Sequence, residues 1–190
     1  MKKIELKDVL DLTAYEKQRP EIRARIIKEK DKRRIHVGPR VTYLFETYDT
    51  MWYQVQEMTR AERIVSDEGI EDELRAYNEL VPDKNQLSAS MLIEIDEIEE
   101  RKSFLTKIVD LPAHTYLVID GQKILADFDP RQGSEDKLSS VQYIKFSLTQ
   151  EQADRFKSGN ILFGFDHNEY SHEYTLSDEE KRVLSDDIHA

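Results

Sequence analysis

The sequence contains no cysteine, which removes disulfides, thiolate nucleophiles, cysteine-based zinc sites and cysteine-ligated iron–sulfur clusters together. It has only six glycines, none set in a G-x-G-x-x-G or Walker pattern, so a backbone cradle for phosphate is not expected. Neither G-x-S-x-G, H-E-x-x-H nor an EF-hand loop occurs. No apolar run approaches the roughly 18 residues of a membrane span. The opening Met1-Lys2-Lys3-Ile4-Glu5 lacks the apolar stretch of a signal peptide. These absences predict a cytoplasmic protein with no membrane attachment and none of the common nucleotide, hydrolase or zinc motifs.

What is present suits one compact domain. The 190 residues fall within the usual size of a single domain, and the 38% hydrophobic content recurs in short patterned runs. Charged residues make up 35%, above the usual quarter, which implies a heavily charged surface. The net charge of −11 argues against nucleic-acid binding through the surface at large. That charge is uneven. Arg19, Arg23, Arg25, Lys28, Lys30, Lys32, Arg33, Arg34 and Arg40 face only Glu21, Glu29 and Asp31 in one segment, leaving −17 on the remainder. A chain divided in this way can dock an acidic partner, or close the basic segment over its own acidic surface.

Periodicity predicts helices at the N-terminus and mainly strands afterwards. A short helix is expected over Asp8 to Gln18, and a second from Pro20, which suits a first turn, to about Arg33. Gly38-Pro39 marks a turn into the β-run Val41 to Phe45. A helix over Met51 to Ile64 follows, then a break at Asp67-Glu68-Gly69 and a helix over Ile70 to Leu80. Ser88 to Ile95 alternates as a strand, and Glu97 to Val109 returns to helical spacing. Thr115 to Phe128 reads as a hairpin about Asp120-Gly121, and Arg131 to Ser139 as a polar, mobile loop. Val141 to Phe146 is a strand and Thr149 to Lys157 a capped helix. Ile161 to Phe165 and Glu173 to Leu176 form a second hairpin across Asp166 to His172, and a capping box at Ser177/Glu180 opens the last helix. The expected fold is α+β: a single domain over 1–190 with a largely antiparallel sheet and peripheral helices, helical over about 1–84 and β-rich over about 85–190.

Two segments can carry chemistry. In Asp166-His167-Asn168-Glu169-Tyr170-Ser171-His172, two imidazoles among carboxylates offer the donors that a divalent iron, manganese or zinc ion takes. Spaced five apart, His167 and His172 would have to converge from the two arms of a turn; the plain alternative is a pair of surface histidines. In the second segment Glu46 ends an apolar strand, and Gln54, Glu57 and Arg60 lie on the helix that follows. A carboxylate set among Phe, Trp and Tyr has a raised pKa, as a general acid or base requires. The alternative is an ordinary helix surface in which Glu57 pairs with Arg60.

The run Arg40-Val41-Thr42-Tyr43-Leu44-Phe45-Glu46, with Thr50 and Tyr53-Gln54-Val55-Gln56-Glu57-Met58 and then Arg60, resembles the bacterial domain-of-unknown-function 3501 family. The likeness extends to Glu16, Arg19, Pro20, Arg23 and Arg34, to Glu73-Leu74 with Tyr77-Asn78, and to Asp166-His167 with Tyr170 and His172. The family carries no assigned activity, so no residue role is transferred. Its members tend to be encoded beside rubrerythrin-like proteins and iron–sulfur oxidoreductases, which implies an accessory role in redox or oxidative-stress metabolism. The leading expectation is therefore a binding protein whose basic segment, Arg19 to Arg40, docks a redox partner. The alternative is a metal-binding protein or metal-dependent enzyme whose ligands come from Glu46, Glu57, His167 and His172.

Overall fold

A computed structural model of the chain describes residues 2–129, 132–134 and 136–189. Its helices are α1 (Leu12–Lys32), α2 (Tyr48–Glu62), α3 (Asp67–Asn78), α4 (Ile98–Lys107), α5 (Gln150–Phe156) and α6 (Asp178–His189). Its strands are β1 (Arg34–Val37), β2 (Val41–Phe45), β3 (Gln86–Ile93), β4 (Thr115–Ile119), β5 (Gln122–Leu125), β6 (Asp127–Phe128), β7 (Gly133–Ser134), β8 (Lys137–Leu138), β9 (Val141–Ser147), β10 (Ile161–His167) and β11 (Tyr170–Thr175). The fold is α+β and single-domain, as its sequence pattern predicts.

The strands form a five-stranded sheet in the order β1-β2-β3-β9-β6, a four-stranded sheet in the order β11-β10-β4-β5, and the small pair β7-β8. All the pairings are antiparallel. The chain passes from one large sheet to the other within a single residue, Ala126, between β5 and β6. The first sheet joins β1 and β2, which precede residue 84, to three strands that follow it.

Alternation explains how the two sheets meet. Val41, Tyr43 and Phe45 of β2 share one face with Leu87, Ala89, Met91 and Ile93 of β3 and with Ile144 and Phe146 of β9, and all lie in one buried cluster. That cluster continues into Leu117 and Ile119 of β4 and Ile161, Phe163 and Phe165 of β10. Tyr43 sits at its centre, with ring centroids 5.5 Å from Phe163, 5.9 Å from Phe165 and 6.3 Å from Phe146. Each fully buried ring stabilises the fold by about 2–3 kcal/mol through apolar burial. The opposite face of the first sheet carries Thr42, Leu44, Ser88 and Ser90, also buried, so β2 and β3 are covered on both sides. A second cluster of Ile4, Met51, Val55, Leu74 and Val81 joins α2 and α3 to the N-terminal segment.

Three local expectations are corrected. The two N-terminal helices are one: α1 starts at an Asp11 cap and runs through Pro20 to Lys32. A proline inside a helix removes one backbone hydrogen bond, but Tyr15 and Ile26, about three turns apart and both buried, anchor the helix on either side of it. Asp67-Glu68-Gly69 is not a break but the first turn of α3, because Ser66 caps it by accepting from the Gly69 amide. The second hairpin has no long loop. Its strands run to His167 and resume at Tyr170, with only Asn168 and Glu169 between them. Of the expected polar loop, residues 131 and 135 lie outside the described residues, while Gly133–Ser134 pairs with Lys137–Leu138.

Candidate functional site

The helix after β2 forms for visible reasons. Thr47 and Thr50 make a reciprocal capping box at its start, and Met51 and Val55 bury its inner side. Glu57 then projects toward α1. Arg19 donates to it from Nε (to Oε1) and Nη2 (to Oε2), both at 2.8 Å, and the Tyr15 hydroxyl donates to Oε1 at 2.5 Å. This bidentate pair holds the Glu57 carboxyl below its ordinary range, with Tyr15 helping against the opposing effect of burial. The raised pKa expected of a carboxylate among aromatic rings is thus reversed here, because a guanidinium arrives from a helix distant in sequence. Burial, and then Glu57, push the Tyr15 hydroxyl far up. Arg60 pairs with Glu16 of α1 at 2.6 Å rather than with Glu57. Gln54 lies beside the Tyr77 hydroxyl of α3.

Glu46 is held elsewhere. It is 4% exposed, and its oxygens accept from the Ser90 hydroxyl at 2.6 Å and the Thr50 hydroxyl at 2.7 Å. A buried carboxylate satisfied by hydroxyl donors links β3 to the start of α2. It shares no bonding partner with Glu57.

The two histidines share one face of the β10–β11 hairpin, since His167 lies opposite Tyr170 and His172 opposite Phe165. Their contacts differ. His167 is buried, its Nε2 lies 2.8 Å from Asp110 Oδ1, and its Nδ1 accepts from the Glu169 amide at 3.0 Å. The backbone donor leaves the ring proton on Nε2, so both nitrogens are engaged. His172 packs against the Tyr170 ring, with centroids 4.6 Å apart, and against Gly38. The structure brings to His167 a partner that the sequence reading missed. The His114 ring meets it edge-on at 5.2 Å, and its Nδ1 lies 2.9 Å from Asp166 Oδ1. Lys123 in turn donates to Asp166 at 2.5 Å. The His167 contact holds Asp110 below the ordinary carboxylate range, and Lys123, then His114, do the same to Asp166. The spacing of Asp110 and His114 is visible in the sequence, but nothing local connects them to His167. Among the described residues, no three His, Asp or Glu side chains come together as a metal site would require. Glu46, Glu57, His167 and His172 therefore do not form one common ligand set.

Comparison with known proteins gives a family. The family described as "Protein of unknown function (DUF3501)" matches residues 3–188. The chain belongs to this family. A crystal structure of a novel protein of unknown function from Burkholderia pseudomallei K96243 is 29% identical to this DUF3501 chain. It superposes with a TM-score of 0.91, covering 98% of this chain and 100% of that one. No curated protein matches. Among the described residues, no helix is long and apolar enough to cross a membrane.

The basic segment of this DUF3501 chain divides into two sets. Arg19 pairs with Glu57, Arg25 with Asp49, Arg33 with Asp187 and Arg40 with Glu100, so part of it does close over the protein's own acidic residues. Among the described residues, Arg23, Lys28, Lys30, Lys32 and Arg34 make no ion pair within 4.0 Å. Around one edge of α1, Arg23 and Lys30 flank the Tyr53 ring of α2, with Lys30 Nζ 6.0 Å from its centroid. Ile27, 40% exposed, lies between them on the helix.

Proposed function

We propose that this DUF3501 chain is a binding protein, with no catalytic step of its own, that docks an acidic redox partner on α1 and the adjoining edge of α2. The observation that carries this reading is Arg23 and Lys30, which make no ion pair among the described residues, set beside an exposed Ile27 and the Tyr53 ring on a chain of net charge −11. Steering by such a patch favours an acidic surface, while the apolar and aromatic groups at its centre supply area that outlasts salt screening. The redox character of the partner rests on the gene neighbourhood that the family resemblance implies.

The test is co-purification of the full chain with the neighbouring rubrerythrin-like and iron–sulfur proteins at low and at moderate salt. A complex that weakens with salt and is lost in Arg23→Glu/Lys30→Glu supports the reading. Failure to associate at either salt concentration, or association indifferent to the double charge reversal, overturns it.

A further inference from the structure

A cleft of about 1020 Å³ opens between the C-terminal end of α3 and the outer face of the first sheet at β6 and β9. Its size matches the upper end of small-molecule pockets. Two rings line it, Tyr77 of α3 and Tyr143 of β9, with the Lys145 side chain beside them, while Phe128 of β6, opposite Ile144, packs against the core. Alternation along β9 puts Tyr143 and Lys145 on the same face, while Ile144 and Phe146 point into the core between the sheets.

The charges in this cleft are unequally occupied. Lys3 is bound to Asp83 at 3.0 Å and to the Val81 carbonyl at 2.8 Å, and Arg75 pairs with Asp72 on its own helix. Asp127, directly across the β6–β9 pairing from Lys145, accepts from the Ser147 hydroxyl at 3.3 Å. Lys145 is half-buried; among the described residues it makes no ion pair or hydrogen bond, and Asp83 feels its charge through space. An ammonium without such a partner, beside the Tyr77 and Tyr143 rings, suits an anion carried on a flat apolar body.

We propose that this cleft binds a small aromatic molecule carrying one anionic group, its ring against Tyr77 and Tyr143 and its anion on Lys145. The site is separate from the α1 surface and does not depend on it. Glu79, Asp83, Asp127 and Asp129 also line the cleft and disfavour a ligand of high negative charge, which excludes polyphosphates from the expected class.

Two dyes test this on the full chain, anilinonaphthalene sulfonate, which is aromatic and anionic, and phenylnaphthylamine, its neutral counterpart. Both should bind saturably at one site. Lys145→Gln should weaken the sulfonate about tenfold, the worth of one charge-assisted hydrogen bond, and leave the neutral dye within about twofold. Tyr143→Ala should weaken both. Lack of saturable binding, or an equal response of the two dyes to Lys145→Gln, overturns the assignment. Arg23→Glu/Lys30→Glu should leave dye binding unchanged, which separates this result from the fate of the docking surface.

Discussion

Arg19 and Glu57 face each other across the α1–α2 interface as a fork on a fork, with both contacts at 2.8 Å. The side chains are 29% and 22% exposed, so the pair is shielded enough to matter and wet enough not to strand a charge. Arg19→Ala leaves the carboxylate with only Tyr15 and should cost about 2 kcal/mol in urea denaturation. The pH dependence has a definite sign. Glu57 has its folded pKa lowered from an ordinary value of 4.5, so its contribution is fully present above that value and is lost as pH falls through the lowered folded value. The gap between wild type and Arg19→Ala should therefore be constant near neutrality and narrow below about pH 4.5. A gap that widened in acid would contradict the assignment.

Tyr170 fastens the β1–β2 turn to β11. Its hydroxyl donates to the Val37 carbonyl at 2.6 Å and accepts from the Arg40 and Val41 amides, each at 3.1 Å. Tyr170→Phe keeps the ring and strands three backbone groups, two of them donors. A loss of about 2–4 kcal/mol is expected, read as a lowered urea midpoint with an unchanged slope. Gly38, in the same turn, has φ +76 and would bring a Cβ within 2.6 Å of His172 Cγ and the Tyr170 hydroxyl oxygen. Gly38→Ala should thus destabilise by more than the ~1 kcal/mol of left-handed strain alone.

Ser88 and Ser90 lie on the same face of β3 and are both buried, yet they should respond oppositely to alanine. The Ser90 hydroxyl is a donor to Glu46 at 2.6 Å, and its removal leaves one buried carboxylate oxygen unpaired. Ser90→Ala should cost about 1.5–3 kcal/mol. Among the described residues, the Ser88 hydroxyl has no hydrogen-bond partner. Ser88→Ala should be neutral or stabilising by up to about 1 kcal/mol, because an unsatisfied buried hydroxyl is itself a cost. Thermal unfolding of the two variants side by side decides this, and equal losses would sink the account of Glu46.

The fold was legible where the information was local. Ala89, Met91 and Ile93 alternate onto one face of β3 as the sequence implies, Asp120-Gly121 takes the positive φ angles of a tight hairpin, and the Ser177/Glu180 box opens α6. Pro20 misled because the tertiary anchors Tyr15 and Ile26 outweigh one missing amide. The polar sites were legible only as residue types. Glu57 was conspicuous, but its partner Arg19 is 38 positions away, and Glu46 meets Ser90 across a gap of 44. His167 drew notice for metal chemistry, while Asp110, 57 residues earlier, decides what its ring can do. Long-range pairings of this kind leave no periodic trace in a single sequence.

The His167 ring makes the last of these relationships measurable. The Glu169 amide donates to Nδ1 at 3.0 Å, and Asp110 Oδ1 lies 2.8 Å from Nε2, so the neutral ring must carry its proton on Nε2. Long-range proton–nitrogen correlation spectra at neutral pH should show a protonated Nε2 and a bare Nδ1 for His167. In Asp110→Ala the tautomer preference should persist, since the amide still donates to Nδ1, while the carboxylate contact that fixes the ring's other end is gone. Zinc supplied at one equivalent should leave the Nε2–H signal in place, because a metal on that nitrogen would have to displace both its proton and Asp110. Loss of the signal at one equivalent, with recovery on chelation, would instead mean that the hairpin rearranges to expose His167 as a ligand.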